Sequence, residues 1–219
     1  ALRLRRRMKE SLHSGPVNLR RTIHRSIGYG GEPLEIFRKA QRPKKPRLIV
    51  LLDVSGSMDK YSYFLLRFIC ALRENFRQLE AFIFSTSLIR ISRALHYNRI
   101  ESVLAIVSEQ AENWSGGTRI GACLQNFNEL YGKQLLNGSP TIIILSDGLD
   151  TGDPQLLNGE LKKIHQRARR IVWLNPLKGM KGYAPLAAGM QAAISEVDDF
   201  RSAHNLNSLL ELENILADA

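Results

Sequence analysis

Apolar residues fall along the chain in two alternating rhythms. Leu48-Ile49-Val50-Leu51-Leu52 is a short continuous apolar run, the pattern of a strand buried on both faces. Tyr61, Phe64, Leu65, Phe68, Ile69, Leu72 and Phe76 then recur at three- and four-residue spacing, which predicts a helix with one apolar stripe. Ala81-Phe82-Ile83-Phe84 reads as a second buried strand. Leu88-Ile89-Arg90-Ile91-Ser92 alternates after a Ser85-Thr86-Ser87 turn and reads as a hairpin edge strand. Ile100, Val103, Leu104 and Val107 mark a further helix, and Ser115-Gly116-Gly117-Thr118 turns into another through Leu124, Phe127 and Leu130. Thr141-Ile142-Ile143-Ile144-Leu145 is a third buried strand. Asp153-Pro154 opens a helix lined by Leu157, Leu161, Ile164 and Ala168. Ile171-Val172-Trp173-Leu174 is a strand stopped by Asn175-Pro176. A short helix near 184–193, a strand at 194–197 and a last helix near 206–217 complete the expectation. Strands alternating with helices predict an α/β fold, a doubly wound, mostly parallel central sheet with one antiparallel edge strand and helices on both faces.

The 219 residues are 44% hydrophobic and 24% charged, globular usage with ample length for one core. No apolar run is long enough to span a bilayer, and the apolar region of a secretory signal is missing. Cys70 and Cys123 stand far apart without a C-x-x-C, which excludes a disulfide scaffold and a cysteine zinc site. A cytoplasmic protein is expected. The net charge of +10 is unevenly spread. Residues 1–47 hold 14 Lys and Arg against 3 Asp and Glu, whereas 48–219 hold 17 against 18. The chain therefore divides into a basic, solvated extension or linker at 1–47 and a nearly neutral domain at 48–219. The prolines of Arg42-Pro43-Lys44-Lys45-Pro46-Arg47 favour a linker there. The start at Ala1 rather than Met points to a longer parent chain.

In an open α/β sheet, ligands bind at the carboxyl ends of the strands, where strand order reverses. Asp53-Val54-Ser55-Gly56-Ser57-Met58 follows the first buried strand and Ser146-Asp147-Gly148 the third, with Thr118 on a glycine turn opening a helix. Carboxylates and hydroxyls meeting at one end suit a small hard cation. Mg²⁺ takes six oxygens at about 2.0–2.1 Å and usually only one or two carboxylates. The D-x-S-x-S spacing can turn alternate side chains to one point, with Gly56 allowing the bend. Taken singly, Ser55, Ser57 and Thr118 could be helix caps.

The segment Asp53–Met58, with Thr118 and Asp147, resembles the metal-ion-dependent adhesion site of von Willebrand factor A (VWA) domains. That resemblance implies Ser55, Ser57 and Thr118 as direct ligands of Mg²⁺, or of Mn²⁺ in its place. Asp53 and Asp147 would act mostly through water. Trp114–Gly121, Leu145–Gly148, Val172–Leu177, Val197-Asp198-Asp199-Phe200 and His204-Asn205-Leu206 further resemble the CoxE-like branch. The branch implies a metal-dependent protein–protein interaction module rather than an enzyme. Its partner would be a MoxR-type AAA+ ATPase or a client metalloenzyme, such as carbon monoxide dehydrogenase under maturation, engaged through an acidic side chain. The chain has no G-x-x-x-x-G-K-[ST], so ATP hydrolysis would belong to the partner.

Two other readings stand beside this one. A Mg²⁺-dependent phosphohydrolase would use Asp53 as nucleophile, but haloacid-dehalogenase-like enzymes carry a second Asp two positions on, where this chain has Ser55. Nucleic acid could bind the basic leader, with steep salt dependence. His13, His24, His96, His165 and His204 lack metal-binding spacing, and Cys70 and Cys123 read as core residues. Asp150 and Asp153 read as a turn residue and a helix cap. Arg119 is either solvated or helps select an acidic ligand.

Overall fold

The computed structural model describes residues 8–11, 17–18, 20, 22, 24, 36–41, 47–76, 78–96, 100–111, 117–205 and 208. The chain forms two compact units, Ala1–Lys44 and Lys45–Ala219. In the first, strand β1 (Met8–Ser11) pairs antiparallel with β2 (Arg38–Gln41), Met8 opposite Gln41. Val17 bridges to Arg38, and the hydroxyl of buried Thr22 accepts from Phe37 N at 3.1 Å. The leader thus carries backbone pairing of its own. Arg47, grouped above with the leader, bonds instead within the second unit, its Nε to Gln78 Oε1 at 2.9 Å and its NH1 to the Asn137 carbonyl at 2.7 Å. The arginine run at residues 3–7 and the Gly28–Gly31 break lie outside the described residues.

The second unit is built on strands β3 (Leu48–Asp53), β4 (Leu79–Phe84), β5 (Leu88–Arg90), β6 (Thr141–Leu145), β7 (Arg170–Asn175) and β8 (Asp199–Ser202). Their order across the sheet is β5-β4-β3-β6-β7-β8, with β5 antiparallel to β4 and every other pair parallel. Strand side chains alternate between faces. Leu48, Val50 and Leu52 join Leu65 and Ile69 of α1 (Asp59–Asn75), Leu95 of α2 (Ser92–His96) and Val103 of α3 (Ile100–Ala111). Ile49 and Leu51 enter the opposite core, with Leu124 of α4 (Ile120–Phe127), Leu161 of α5 (Pro154–His165) and Met190 of α6 (Ala188–Ile194). Helices therefore cover both faces, as the continuous apolar runs require.

Four elements differ from the sequence expectation. Strand β5 stops at Arg90, because the Ser92 hydroxyl accepts from Ala81 N at 3.0 Å and donates to Glu80 Oε2 at 2.5 Å, so Ser92 begins a helix. Helix α4 continues as a π-helical turn, Asn128–Gly132, before Lys133–Leu135. The wider turn rotates the apolar stripe. Leu130 is 71% exposed, and Tyr131 instead packs with its ring 5.0 Å from that of Phe82. Residues 194–197 do not form a strand, because α6 runs to Ile194 and a turn follows. Asp198 then pairs its N–H and a carboxylate oxygen with Ile171, and β8 starts at Asp199. Within the short helix expected at 184–193, only 188 onward is helical. The helix expected at 206–217 lies outside the described residues except for Ser208.

Candidate metal centre

The strand order reverses between β3 and β6, so the carboxyl ends of these neighbours flank a crevice. Asp53, the last residue of β3, is fully buried there. Its Oδ1 accepts from Ser55 N at 2.9 Å and its Oδ2 from the Ser146 hydroxyl at 2.7 Å. Burial pushes the Asp53 carboxyl up to about 6 from an ordinary 3.8; the Ser55 and Ser146 donors pull it partly back, and the charge of Asp147 adds a further push. Ser146 is held in turn, its hydroxyl accepting from Gly148 N at 3.0 Å and its carbonyl from Trp173 Nε1 at 2.9 Å.

Beyond Asp53 the chain enters a 3-10 turn, Gly56–Met58, with Ser55 before it. Ser55 is buried and Ser57 exposed, and their hydroxyl oxygens lie 3.2 Å apart. Ser55 makes no side-chain capping bond. The bend itself does not demand glycine at Gly56. No positive φ occurs there, and an added Cβ would meet nothing within 4 Å.

Thr118 is buried. Arg119, not Thr118, is the N-cap of α4, without a side-chain cap bond. The loop after β6 sets Thr118 in place. Its carbonyl accepts from both Thr151 N and Thr151 Oγ1 at 2.9 Å, while Asp150 Oδ1 accepts from Ile120 N and Gly152 N at 3.0 Å. Gly117 precedes it at φ +76°, where an added Cβ would stand 2.7 Å from Thr151 Cγ2. Arg119 N bonds the Ser85 carbonyl at 2.9 Å, tying the turn to the end of β4. Asp150 is thus a turn residue that also holds α4, and Asp153 caps α5 by accepting from Gln155 N at 2.9 Å.

Asp147 completes the set. Its Oδ1 accepts from Leu149 N at 3.0 Å, whereas Oδ2 is buried and has no hydrogen-bond partner among the described residues. An unpartnered buried carboxylate oxygen is costly unless something positive meets it. The paired Ser55 and Ser57 hydroxyls on the loop after β3, and the orphaned Asp147 oxygen on the loop after β6, are oxygen donors of the kind a small divalent cation takes. Among the described residues no three or more His, Cys, Asp and Glu cluster to hold a metal, so the remaining ligands of a cation here would be neutral oxygens. The Cys123 thiol is buried, and burial, reinforced by Asp53 and Asp150, pushes it up to about 12, the behaviour of a core thiol.

Sequence reasoning singled out Asp53, Ser55, Ser57, Thr118 and Asp147 but assigned no part to Ser146, Thr151, Asn175 or Tyr183. Asn175 Nδ2 donates to the Asp147 carbonyl at 2.8 Å and to the Tyr183 hydroxyl at 2.9 Å. The signal for Asn175 was visible as a polar residue closing a buried strand.

Residues 1–209 match the family model described as VWA domain containing CoxE-like protein. No curated protein matches the sequence. An aerotolerance-related membrane protein from Bacteroides fragilis, 13% identical, aligns over 80% of this chain and 100% of its own, with a TM-score of 0.53. BatB from Bacteroides thetaiotaomicron aligns over the same shares at 16% identity and 0.53. Proximal thread matrix protein 1 of the mussel byssus, in a structure with a zinc-occupied MIDAS motif, gives 16% identity over 80% of this chain and 47% of its own, with a TM-score of 0.54. At these identities the likeness is one of fold.

Proposed function

Because the chain belongs to the family of VWA domain containing CoxE-like proteins, we propose that it is a protein-interaction module whose grip on its partner depends on a divalent cation. Ser55, Ser57 and Thr118 hold the cation directly, and Asp53 and Asp147 hold it mostly through water. The observation that carries this reading is the buried Asp147 Oδ2, which has no hydrogen-bond partner among the described residues. An all-oxygen set favours Mg²⁺, with Mn²⁺ as substitute. The mussel protein's zinc-occupied motif supports a divalent ion at such a site without settling which one.

When bound, the ion supplies an electrophilic position for a carboxylate, since its three hydroxyl ligands are neutral. This chain's part is to keep that position short of negative charge. Asp53 is committed through both oxygens to Ser55 and Ser146, which keeps it behind the hydroxyls. The same commitment argues against Asp53 as a nucleophile and supports a non-enzymatic role. The partner expected from the family is a MoxR-type AAA+ ATPase, or the metalloenzyme it helps to mature, presenting a Glu or Asp in the cytoplasm. No described helix is long and apolar enough to cross a membrane.

The test begins with calorimetric titration of EDTA-stripped protein by Mg²⁺, Mn²⁺ and Zn²⁺, alongside Asp147→Asn and Ser55→Ala. Saturable binding lost in both variants is expected. Capture of a named AAA+ partner follows, with Mg²⁺, with EDTA, and with Asp53→Ala checked for folding by circular dichroism. Equal capture in all three arms would reject the cation-bridged reading. Mg²⁺-dependent phosphate release from a phosphoester would move the assignment to a phosphohydrolase. Salt-sensitive retention of oligonucleotide through residues 1–47 would point to nucleic acid.

A further inference from the structure

Asn175 ends β7 with its side chain fully buried. Its Oδ1 accepts from Leu177 N at 2.8 Å, which fixes the amide so that Nδ2 must face the other way. There Nδ2 donates to the Asp147 carbonyl and to the Tyr183 hydroxyl, with the Met190 sulfur a longer contact at 3.8 Å. The Tyr183 oxygen is therefore an acceptor in that bond, and its own proton must point elsewhere. Among the described residues it has no acceptor. The backbone around it is set by successive turns, with Met180 N on the Leu177 carbonyl at 2.9 Å and Tyr183 N on the Met180 carbonyl at 3.1 Å. A partly exposed phenol thus stands one amide away from the Asp147 main-chain carbonyl with an unassigned O–H.

We infer that Tyr183 receives the partner's carboxylate, its O–H donating to the carboxylate oxygen that the cation leaves free. The inference rests on the cation-dependent reading above and adds a residue that selects the ligand. A metal holds one oxygen of an incoming carboxylate, and a neutral donor tied through Asn175 to the Asp147 main chain orients the second. A lysine there would place a second cation beside the metal, whereas a phenol donates without charge. Burial and the charge of Asp147 raise the phenol's pKa against the opposing pull of Asn175, so it keeps its proton at physiological pH.

Mn²⁺ and acetate test this in the full chain. Mn²⁺ affinity is read by electron paramagnetic resonance, and acetate capture by the loss of water relaxation at the bound ion. Tyr183→Phe is expected to bind Mn²⁺ as the wild type does and acetate about tenfold more weakly, the worth of one hydrogen bond to a charged group at a partly exposed position. Imidazole, which has no lone pair left for the phenol once bound, should be captured equally by both proteins. Unchanged acetate affinity in Tyr183→Phe would overturn the inference. A change in Mn²⁺ affinity itself would also overturn it, because the phenol would then serve the ion rather than its ligand. If the wild type fails to bind Mn²⁺, the metal-dependent reading falls first and takes this one with it.

Discussion

Asp53→Asn should make the cation-free protein more stable at neutral pH while abolishing cation binding. The Asp53 carboxyl sits at about 6 when folded against an ordinary 3.8, so its ionised form is disfavoured by the fold. At roughly 1.4 kcal/mol per pH unit, that displacement costs about 3 kcal/mol wherever both folded and unfolded chains are ionised. The sign follows from proton uptake. As pH falls through about 6, the folded chain takes up a proton that the unfolded chain does not, and stability rises until the ordinary 3.8 is reached. Between about pH 7.5 and about pH 5 the expected gain is roughly 1–2 kcal/mol. The amide of Asp53→Asn escapes this cost but has to meet Ser146 with a donor. Ser146 Oγ already accepts from Gly148 N, so its own proton loses its acceptor, a loss of about 1 kcal/mol. The net expectation in EDTA at about pH 7.5 is a variant more stable by roughly 2 kcal/mol. Urea denaturation at both pH values, for both proteins, isolates the Asp53 contribution as a double difference. A variant less stable than wild type at neutral pH, or one with the same pH slope, would refute the reasoning.

Further outcomes follow from neighbouring contacts. Cation affinity of the wild type, measured by titration calorimetry, should fall about tenfold per pH unit below about 6, as the proton competes for Asp53. Ser146→Ala removes the donor to Asp53 Oδ2 and should move that pH midpoint upward while costing roughly 1–3 kcal/mol at neutral pH, read by thermal denaturation. Gly117→Ala forces a side chain into φ +76° and within 2.7 Å of Thr151 Cγ2. It should cost about 1–3 kcal/mol and weaken cation binding through Thr118, whereas Gly56→Ala should be nearly neutral in both assays.

The parts of this fold legible in the sequence were those decided by short-range pattern. Strands β3, β4, β6 and β7 are buried on both faces over residues 48–52, 81–84, 142–145 and 171–174, so those runs are apolar throughout and stand out. The candidate site was legible for a related reason, because carboxylates and hydroxyls directly after such strands have few structural uses. What escaped notice depends on partners far along the chain. Leu130 fits a helical stripe locally, whereas in the π turn Leu130 is exposed and Tyr131 packs on Phe82, a residue far along the chain. The start of β8 is set by Asp198 bonding Ile171, and β1 by pairing across the leader with β2. Likewise nothing local marks Ser146 as the donor to Asp53, or Asn175 as the link from Asp147 to Tyr183.

The parallel pairing of β3 with β6 has a consequence for synthesis. Asp53 and Ser146, joined at the ends of these strands, are 93 positions apart. At about 5–20 residues per second, β3 emerges on the order of 5–20 s before the strand that covers its other edge. During that interval Leu48–Leu52 is an apolar, uncharged, strand-forming segment with one open edge, the kind of segment most liable to pair with another chain. Parallel pairing across such a span is also slow to nucleate. Ribosome release, chaperone access and growth temperature should therefore govern the yield of folded protein more than its final stability does.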